Sequence, residues 1–248
     1  MLLFSLTRSA LLSVRESARR TSALDSLKAT TVEPMDTDPV APAKRKRKDV
    51  GGSREKILRI ALREFAARGL SGARVDRIAE LAKTSKRMLY YHFKNKNDLY
   101  RAVLDQAYAG IRAAEADIDA ERMDPVEALR SIVIRSFDYH SQSEQFVRLV
   151  MNENIHHARN ISASTVEGNR GIIETLARIL DRGVKAGKFR AGIDPKHLHL
   201  TISGMAFHYV SNRHSFSHIF EMDMSSPEAI AERREIAVDI VLRWCCKP

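Results

Sequence analysis

From Ser53 to Trp244 the apolar residues of the chain return at intervals of three and four, and no segment sustains period-two alternation. That pattern predicts an all-α fold. Ile57, Ile60, Ala61 and Phe65 form the first stripe, opened by Ser53 as N-cap with Glu55 in the first turn and stopped at Gly69. Val75, Ile78, Ala79 and Leu81 form a short second stripe. After a three-residue turn, Leu89 and Phe93 mark the back of a third helix. Asn95, with Asp98 three residues on, resembles a capping box and opens a helix carrying Leu99, Ala102, Val103 and Gln106. Farther along, Asp124-Pro125, Asp194-Pro195 and Ser226-Pro227 each set a capping side chain before a proline suited to the first helical position, and Glu127 extends the first of these to a capping box. Helices are therefore expected at 125–141, 144–157, 165–187, 195–216 and 227–245, with KAGKFRAGID as the break between the third and fourth.

The segment RVDRIAELAKTSKRMLYYHF, Arg74 to Phe93, reads as a helix-turn-helix. Ala79 is the small residue that two crossing helices need. With Leu89 and Phe93 turned inward, the second helix is left with Lys86, Arg87, Tyr90, Tyr91 and His92 outside, a surface suited to phosphates and base edges in the major groove of DNA. Charge supports this reading. The net charge is +10, yet residues 44–101 hold 18 Lys and Arg against 6 Asp and Glu, while 102–248 hold 18 against 20. Basic charge gathered around one motif is the footprint of a polyanion partner. A membrane surface is also anionic, but no Trp or Phe stripe lies opposite the basic face.

Residues 1–52 read as an unfolded, partly basic extension. Its first stretch, with Arg8, Arg15, Arg19 and Arg20 among many Ser, reads three ways. It resembles an organellar transit peptide, fits a secretory signal less well, or precedes a true start at Met35, the reading favoured here. Lys44 to Lys48 form either a groove-binding arm or a solvated tail. Domains are expected at 53–100, the DNA-binding unit, and 101–248. No apolar run approaches the roughly 18 residues of a spanning helix. Cys245 and Cys246, the only cysteines, are adjacent and offer neither a disulfide framework nor metal-ligand spacing, consistent with a reducing, cytoplasmic compartment.

From Ser53 to about Tyr108 the chain resembles the N-terminal domain of the TetR family of bacterial transcriptional repressors, through EFAARGL, RVDRIAELA and SKRMLYYHFKNKNDLYRAVL. DPKHLHLTISGMAFHYVSNRHSFSHIF looks like one subgroup, which includes regulators of pyrimidine and nicotinate catabolism. The resemblance implies a ligand-responsive repressor that binds a double-stranded operator as a homodimer, with half-sites about 34–36 Å apart or a multiple of that. It implies phosphate contacts from Arg74 and Lys96, groove-floor contacts from Lys86, Arg87, Met88 and Tyr90, and a backbone grip from Tyr91 and His92. Two places depart from the family pattern. Lys83 occupies a turn position usually held by Gly, at a cost of about 1 kcal/mol if left-handed. Arg87 and Met88 stand where small residues are common, which marks Arg87 as a guanine reader.

The resemblance also implies a small-molecule pocket in residues 101–248, moved against the reading head by the helix that starts at Asn95. Polar or adaptable residues within apolar runs are the candidates for it: Phe137, His140, Met151, Asn154, Thr175, Met205 and His208. Ile202, Met205, Ala206 and Tyr209, with Ile236, Val238, Ile240, Val241 and Trp244, are expected in a four-helix dimer contact. His214 and His218 stand i, i+4 near Glu221, a metal-compatible spacing without an assured third ligand, so no metal is expected. No Gly-rich phosphate loop, nucleophile motif or HExxH occurs, so neither a cofactor nor an enzyme is expected. An architectural DNA-binding protein without an effector is the remaining alternative.

Overall fold

The computed structural model describes residues 50–116 and 118–247. The N-terminal extension up to residue 49, with the Lys44–Lys48 arm and the Met35 start, lies outside them. Among the described residues there are nine helices: α1 (Val50–Gly72), α2 (Val75–Leu81), α3 (Lys86–His92), α4 (Lys96–Ala116), α5 (Pro125–Gln142), α6 (Glu144–Ile155), α7 (Ala163–Lys185), α8 (Pro195–Phe220) and α9 (Pro227–Cys245). The extended pairing among them is one isolated bridge between Phe189 and Cys246. No described helix is long and apolar enough to cross a membrane.

The proline-led starts fall where the caps predict them. Asp124 accepts from Val126 N at 3.0 Å, Asp194 from Lys196 N at 2.6 Å and Ser226 from Ala229 N at 3.2 Å. Glu127, however, turns to Arg130 at 3.6 Å instead of closing a box. Asn95 and Asp98 do form the reciprocal pair, with Asn95 Oδ1 accepting from Asp98 N at 2.8 Å and Asn95 Nδ2 donating to Asp98 Oδ2 at 2.9 Å. Two expectations change at α1 and α2. Helix α1 begins at Val50, so Ser53 lies inside it and the expected extension ends before residue 52. Leu81 is exposed and Ala82 is buried in its place, because the stripe through Ile78 continues four residues on, not three.

The reading head is built on α1 and α4. Ile57, Leu58, Ala61 and Phe65 are buried beneath Ile78, Ala79, Leu89 and Phe93. Phe65 meets Tyr100 of α4 edge-on at 4.9 Å between centroids, and the Arg54 guanidinium lies 5.2 Å over the Phe93 ring. Within α1 the helical path breaks at Gly69, whose φ of 65° and ψ of 177° few side chains tolerate. There α6 closes in. Arg148 Nε and Asn152 Nδ2 donate to Ala66 O at 3.3 and 3.4 Å, and a Cβ on Gly69 would lie 3.2 Å from Asn152 Oδ1.

Helix α4 runs through residue 100, where the sequence places a domain boundary, so the head and the C-terminal helices share it. Its C-terminal half buries Leu104, Ala107, Ile111 and Glu115 against α5 and α7. Arg182 of α7 holds the α4–α5 connection, donating to Met123 O at 2.6 Å and to Ala120 O. Ile202, Ala206 and Tyr209 of α8, with Val238 and Val241 of α9, are buried within this one chain, so they pack its own core and are not free for a second subunit. Met205 and Trp244 are half-buried against that core. The exposed apolar residues of the same two helices are Leu200, Phe216, Ile219, Phe220, Ile236 and Ile240.

Lys83, in the turn between α2 and α3, has φ 52°. A β-carbon is strained in that conformation by about 1–2 kcal/mol. Replacing Lys83 with Gly should raise the unfolding free energy by up to about 1 kcal/mol in urea titrations, net of glycine's larger unfolded-state entropy. A loss of stability would show that the Lys83 side chain contributes more than its backbone costs.

Candidate nucleic-acid interface and interior site

Seven residues long, α3 buries Leu89 and presents most of its other side chains. Ser85 caps it, its Oγ accepting from Met88 N at 3.1 Å. Lys86, Arg87, Met88, Tyr90 and Tyr91 are exposed, Tyr91 by 75%. Tyr90, which is itself exposed, belongs to the surface and not to the core. His92 is half-buried between its neighbours, 5.5 Å from the Tyr91 ring and 6.1 Å from that of Phe93, with its Nε2 lacking a protein partner. Arg74 is exposed at the N-cap of α2. Lys96 opens α4, with its Nζ donating to Ser71 O at 3.1 Å, which leaves further donors for an anion. Lys86 pairs with Asp76, so part of its charge is already answered within the head.

Sequence reasoning missed Glu64. It is 5% exposed, and its Oε1 accepts from Arg74 N at 3.2 Å and faces Arg68 Nε at 3.3 Å, while Oε2 faces Arg77 Nε at 3.3 Å. This carboxylate of α1 therefore fixes the start of α2 and pairs with the guanidinium groups of Arg68 and Arg77. An acid beside the buried Phe65 on the apolar side of α1 is the signal that could have found it.

Of the expected pocket residues, the fold brings Phe137 and His140 into the interior, Phe137 at 5.5 Å from Tyr209 and His140 at 5.5 Å from Phe146. Met205 and Thr175 are half-buried, and the Thr175 hydroxyl accepts from Arg178 Nη2 at 3.1 Å. Met151, Asn154 and His208 are exposed and line no interior site. The buried stripe of α6 runs through Phe146, Val147, Val150 and Glu153, and that of α8 through Ile202, Ala206, Tyr209 and Val210, which turns these three outward. Asn154 bonds Val150 O at 2.9 Å, and His208 Nδ1 lies 3.0 Å from Asn212 Nδ2. His214 is 76% exposed and lies 3.8 Å from Glu144; among the described residues no three ligating side chains converge on a metal position.

The interior is instead organised around a pair not foreseen from the sequence. Arg112 Nη1 lies 2.8 Å from Glu115 Oε2, the two side chains 15% and 3% exposed. Despite this ion pair, Arg112 Nε and Nη1, both Glu115 oxygens and the buried Ser136 hydroxyl oxygen lack hydrogen-bond partners. Burial pushes the Glu115 carboxyl up to about 7, against the opposing pull of Arg112. Burial lowers His140, although its Nδ1 lies 2.6 Å from Ser136 O. His199 is lowered to about 4 by burial, then by the charges of Arg112 and His140. Glu115 continues the apolar stripe through Leu104 and Ile111, and an acid on such a stripe is the sequence signal.

Comparison with known proteins agrees with these features. Residues 57–103 match the family described as bacterial regulatory proteins, tetR family, and residues 125–241 match the tetracyclin repressor-like C-terminal domain. The chain is 34% identical over 197 residues to the HTH-type transcriptional repressor NicS of Pseudomonas putida, covering 77% of this chain and 91% of that protein. It is 31% identical over 160 residues to the HTH-type transcriptional regulator RutR of Escherichia coli K12, covering 64% and 74%. Among solved structures it resembles the putative transcriptional regulator SCO4942 from Streptomyces coelicolor at TM-score 0.60 and 25% identity, over 79% of this chain and 99% of that one. It also shares the fold of the ketosteroid transcriptional regulator KstR2 of Mycobacterium tuberculosis, at TM-score 0.60 and 21% identity, over 79% and 95%.

The interior titrations set opposing pH dependences. His199 is neutral in the fold, so its contribution is complete above its ordinary 6.5 and is lost as pH falls toward about 4. Glu115 favours its protonated form, so it gains stability as pH falls from about 7 toward its ordinary 4.5. His199→Gln should therefore lose less stability than the parent chain between about pH 7.5 and about pH 5 in urea unfolding. An equal loss in both proteins would remove His199 from the acid response.

Proposed function

The chain belongs to the tetR family of bacterial regulatory proteins, and on that premise we propose that it is a sequence-specific transcriptional repressor, not an enzyme, released from a palindromic operator by a small-molecule effector. The exposed face of α3 carries this reading. Arg87, Met88, Tyr90 and Tyr91 stand clear of the protein on a helix short enough to enter a major groove, while Arg74 before it and Lys96 after it in the chain serve the phosphate backbone. The reading places the protein in the cytoplasm, where its DNA is. Each subunit reads only a few base pairs, so the operator requires two. The exposed Ile236 and Ile240 of α9, with Phe216, Ile219 and Phe220 of α8, supply the apolar surface for a second copy.

The experiment is selection of genomic DNA fragments by the purified full chain, with an Arg87→Ala, Tyr91→Ala variant as control. Enrichment of a palindrome that the control loses is the expected result; fragments recovered equally by both proteins would sink the assignment of α3. On the selected operator, Arg87→Ala alone should cost about 1–3 kcal/mol if the guanidinium reads a base bidentately. Affinity should also fall by orders of magnitude as salt rises, because phosphate contacts release counterions.

A further inference from the structure

Resting on the effector-release reading above, we propose that the effector is a small, flat organic acid whose carboxylate takes the place of Glu115 on Arg112. Three independent observations meet at this point.

The first is an unsatisfied fork. Arg112 offers a planar array of donors that matches a carboxylate in two places, yet within the fold Glu115 meets it as an ion pair at Nη1 alone, and neither Nη1 nor Nε makes a hydrogen bond. An i, i+3 pair on one helix spans the fork poorly, whereas a free carboxylate can approach it squarely. Glu115 is also badly placed as an anion. It lies on the last turn of α4, where the helix dipole is negative, and it is buried. Burial favours its protonated form, which could turn to the buried Ser136 hydroxyl as donor.

The second is the shape of the surroundings. Tyr108 of α4, Tyr139 and His140 of α5 and His199 of α8 are the titratable groups facing Arg112 and Glu115, together with Ser136. All but the serine are flat rings. Phe146 stacks edge-on against three of them, 5.7 Å from Tyr108 and 5.5 Å from both Tyr139 and His140. Both histidines are held toward the neutral form, so Arg112 is the one cation of this group.

The third is an approach. A cleft of about 530 Å³ between α7 and the start of α8 is lined by Tyr108, Thr165, Asn169, Ile173 and Lys196. Tyr108 lies one turn before Arg112 on α4, and Lys196 one turn before His199 on α8. Tyr108 is thus common to the cleft and to the rings around Arg112, and Lys196 stands at the cleft to draw an anion in.

Binding there would act directly on the helix that carries the reading head, because Arg112 and Glu115 form the final turns of α4.

The test uses the full chain, its selected operator, and benzoate with the uncharged isostere benzamide as probes, read by calorimetry and by operator-binding anisotropy. Benzoate should bind at millimolar concentration, more tightly at pH 6 than at pH 8, and should weaken operator binding; benzamide should do neither. Glu115→Gln, which removes the competing anion, should tighten benzoate and flatten its pH dependence. Because Arg112→Met alone strands a buried acid and could fail to fold, the decisive variant is Arg112→Met with Glu115→Gln. That protein should keep its operator affinity and lose benzoate by at least about tenfold. Failure of benzoate to bind, equal binding of benzamide, or full retention of benzoate by the double variant overturns the proposal. Loss of operator binding by the unliganded parent chain would instead overturn the repressor reading on which it rests.

Discussion

A helix of seven residues cannot hold its own direction. Isolated helices of this length are marginal in water, and α3 spends nearly its whole surface on the outside, keeping Leu89 as its one buried anchor. Its orientation is therefore imposed by what lies behind it. Ala79 allows α2 to cross closely, Glu64 pins the N-cap residue of α2 to α1, Ser85 closes the N-terminus of α3, and Phe93 locks its end beneath Arg54. The strain at Lys83 belongs to the same account, since the turn must be tight enough to cross the two helices within the four residues 82–85. The remaining helices can be understood as support for this small, outward-facing surface.

Charge is handled differently in the two halves of the fold. Around α3 the cations are exposed and gathered, which costs little while they are hydrated and becomes favourable when a polyanion replaces water and counterions. In the C-terminal half the ion pairs are mostly surface pairs such as Arg170–Glu167, at 2.8 Å, whose contribution is about 0–1 kcal/mol. Arg112 and Glu115 are the exception. A buried pair with unfilled hydrogen-bonding positions costs desolvation that its mutual attraction only partly offsets, so stability alone gives no reason to keep it. Its position between the rings of α5 and α8 makes sense as a polar socket in an otherwise apolar bundle.

Much of this architecture was legible in the sequence because it is punctuated. Asp or Ser before Pro set three helix starts, and Asn95 with Asp98 set a fourth; caps are local chemistry that tertiary packing rarely overrides. The exposed face of α3 was legible too, since a short amphipathic helix has only one way to bury Leu89 and Phe93. What failed was the finer matter of angle around a helix. One position along α6 or α8 is a turn of about 100°, enough to carry Met151 or His208 from the inside to the outside. Apolar composition likewise did not separate intrachain core from intersubunit surface: Ile240 is exposed and Val241 is buried, side by side in α9. Arg112 and Glu115 escaped notice because charged residues are ordinarily solvated, and only the continuity of the stripe through Ile111 betrays their burial.

The passage of α4 through both cores sets a rule for how this chain can change over time. Its 21 residues span about 31 Å, with Tyr100 fixed against Phe65 at one end and Arg112 among the rings of the bundle at the other. Substitutions at either end alter what is read there and keep the two cores in phase. An insertion or deletion of one residue between them is different in kind, because it twists one end against the other by about 100° and destroys the phase in which both cores close. The helix thus behaves as a keyed shaft: its two ends can be recut independently, so long as the count of residues between them is kept.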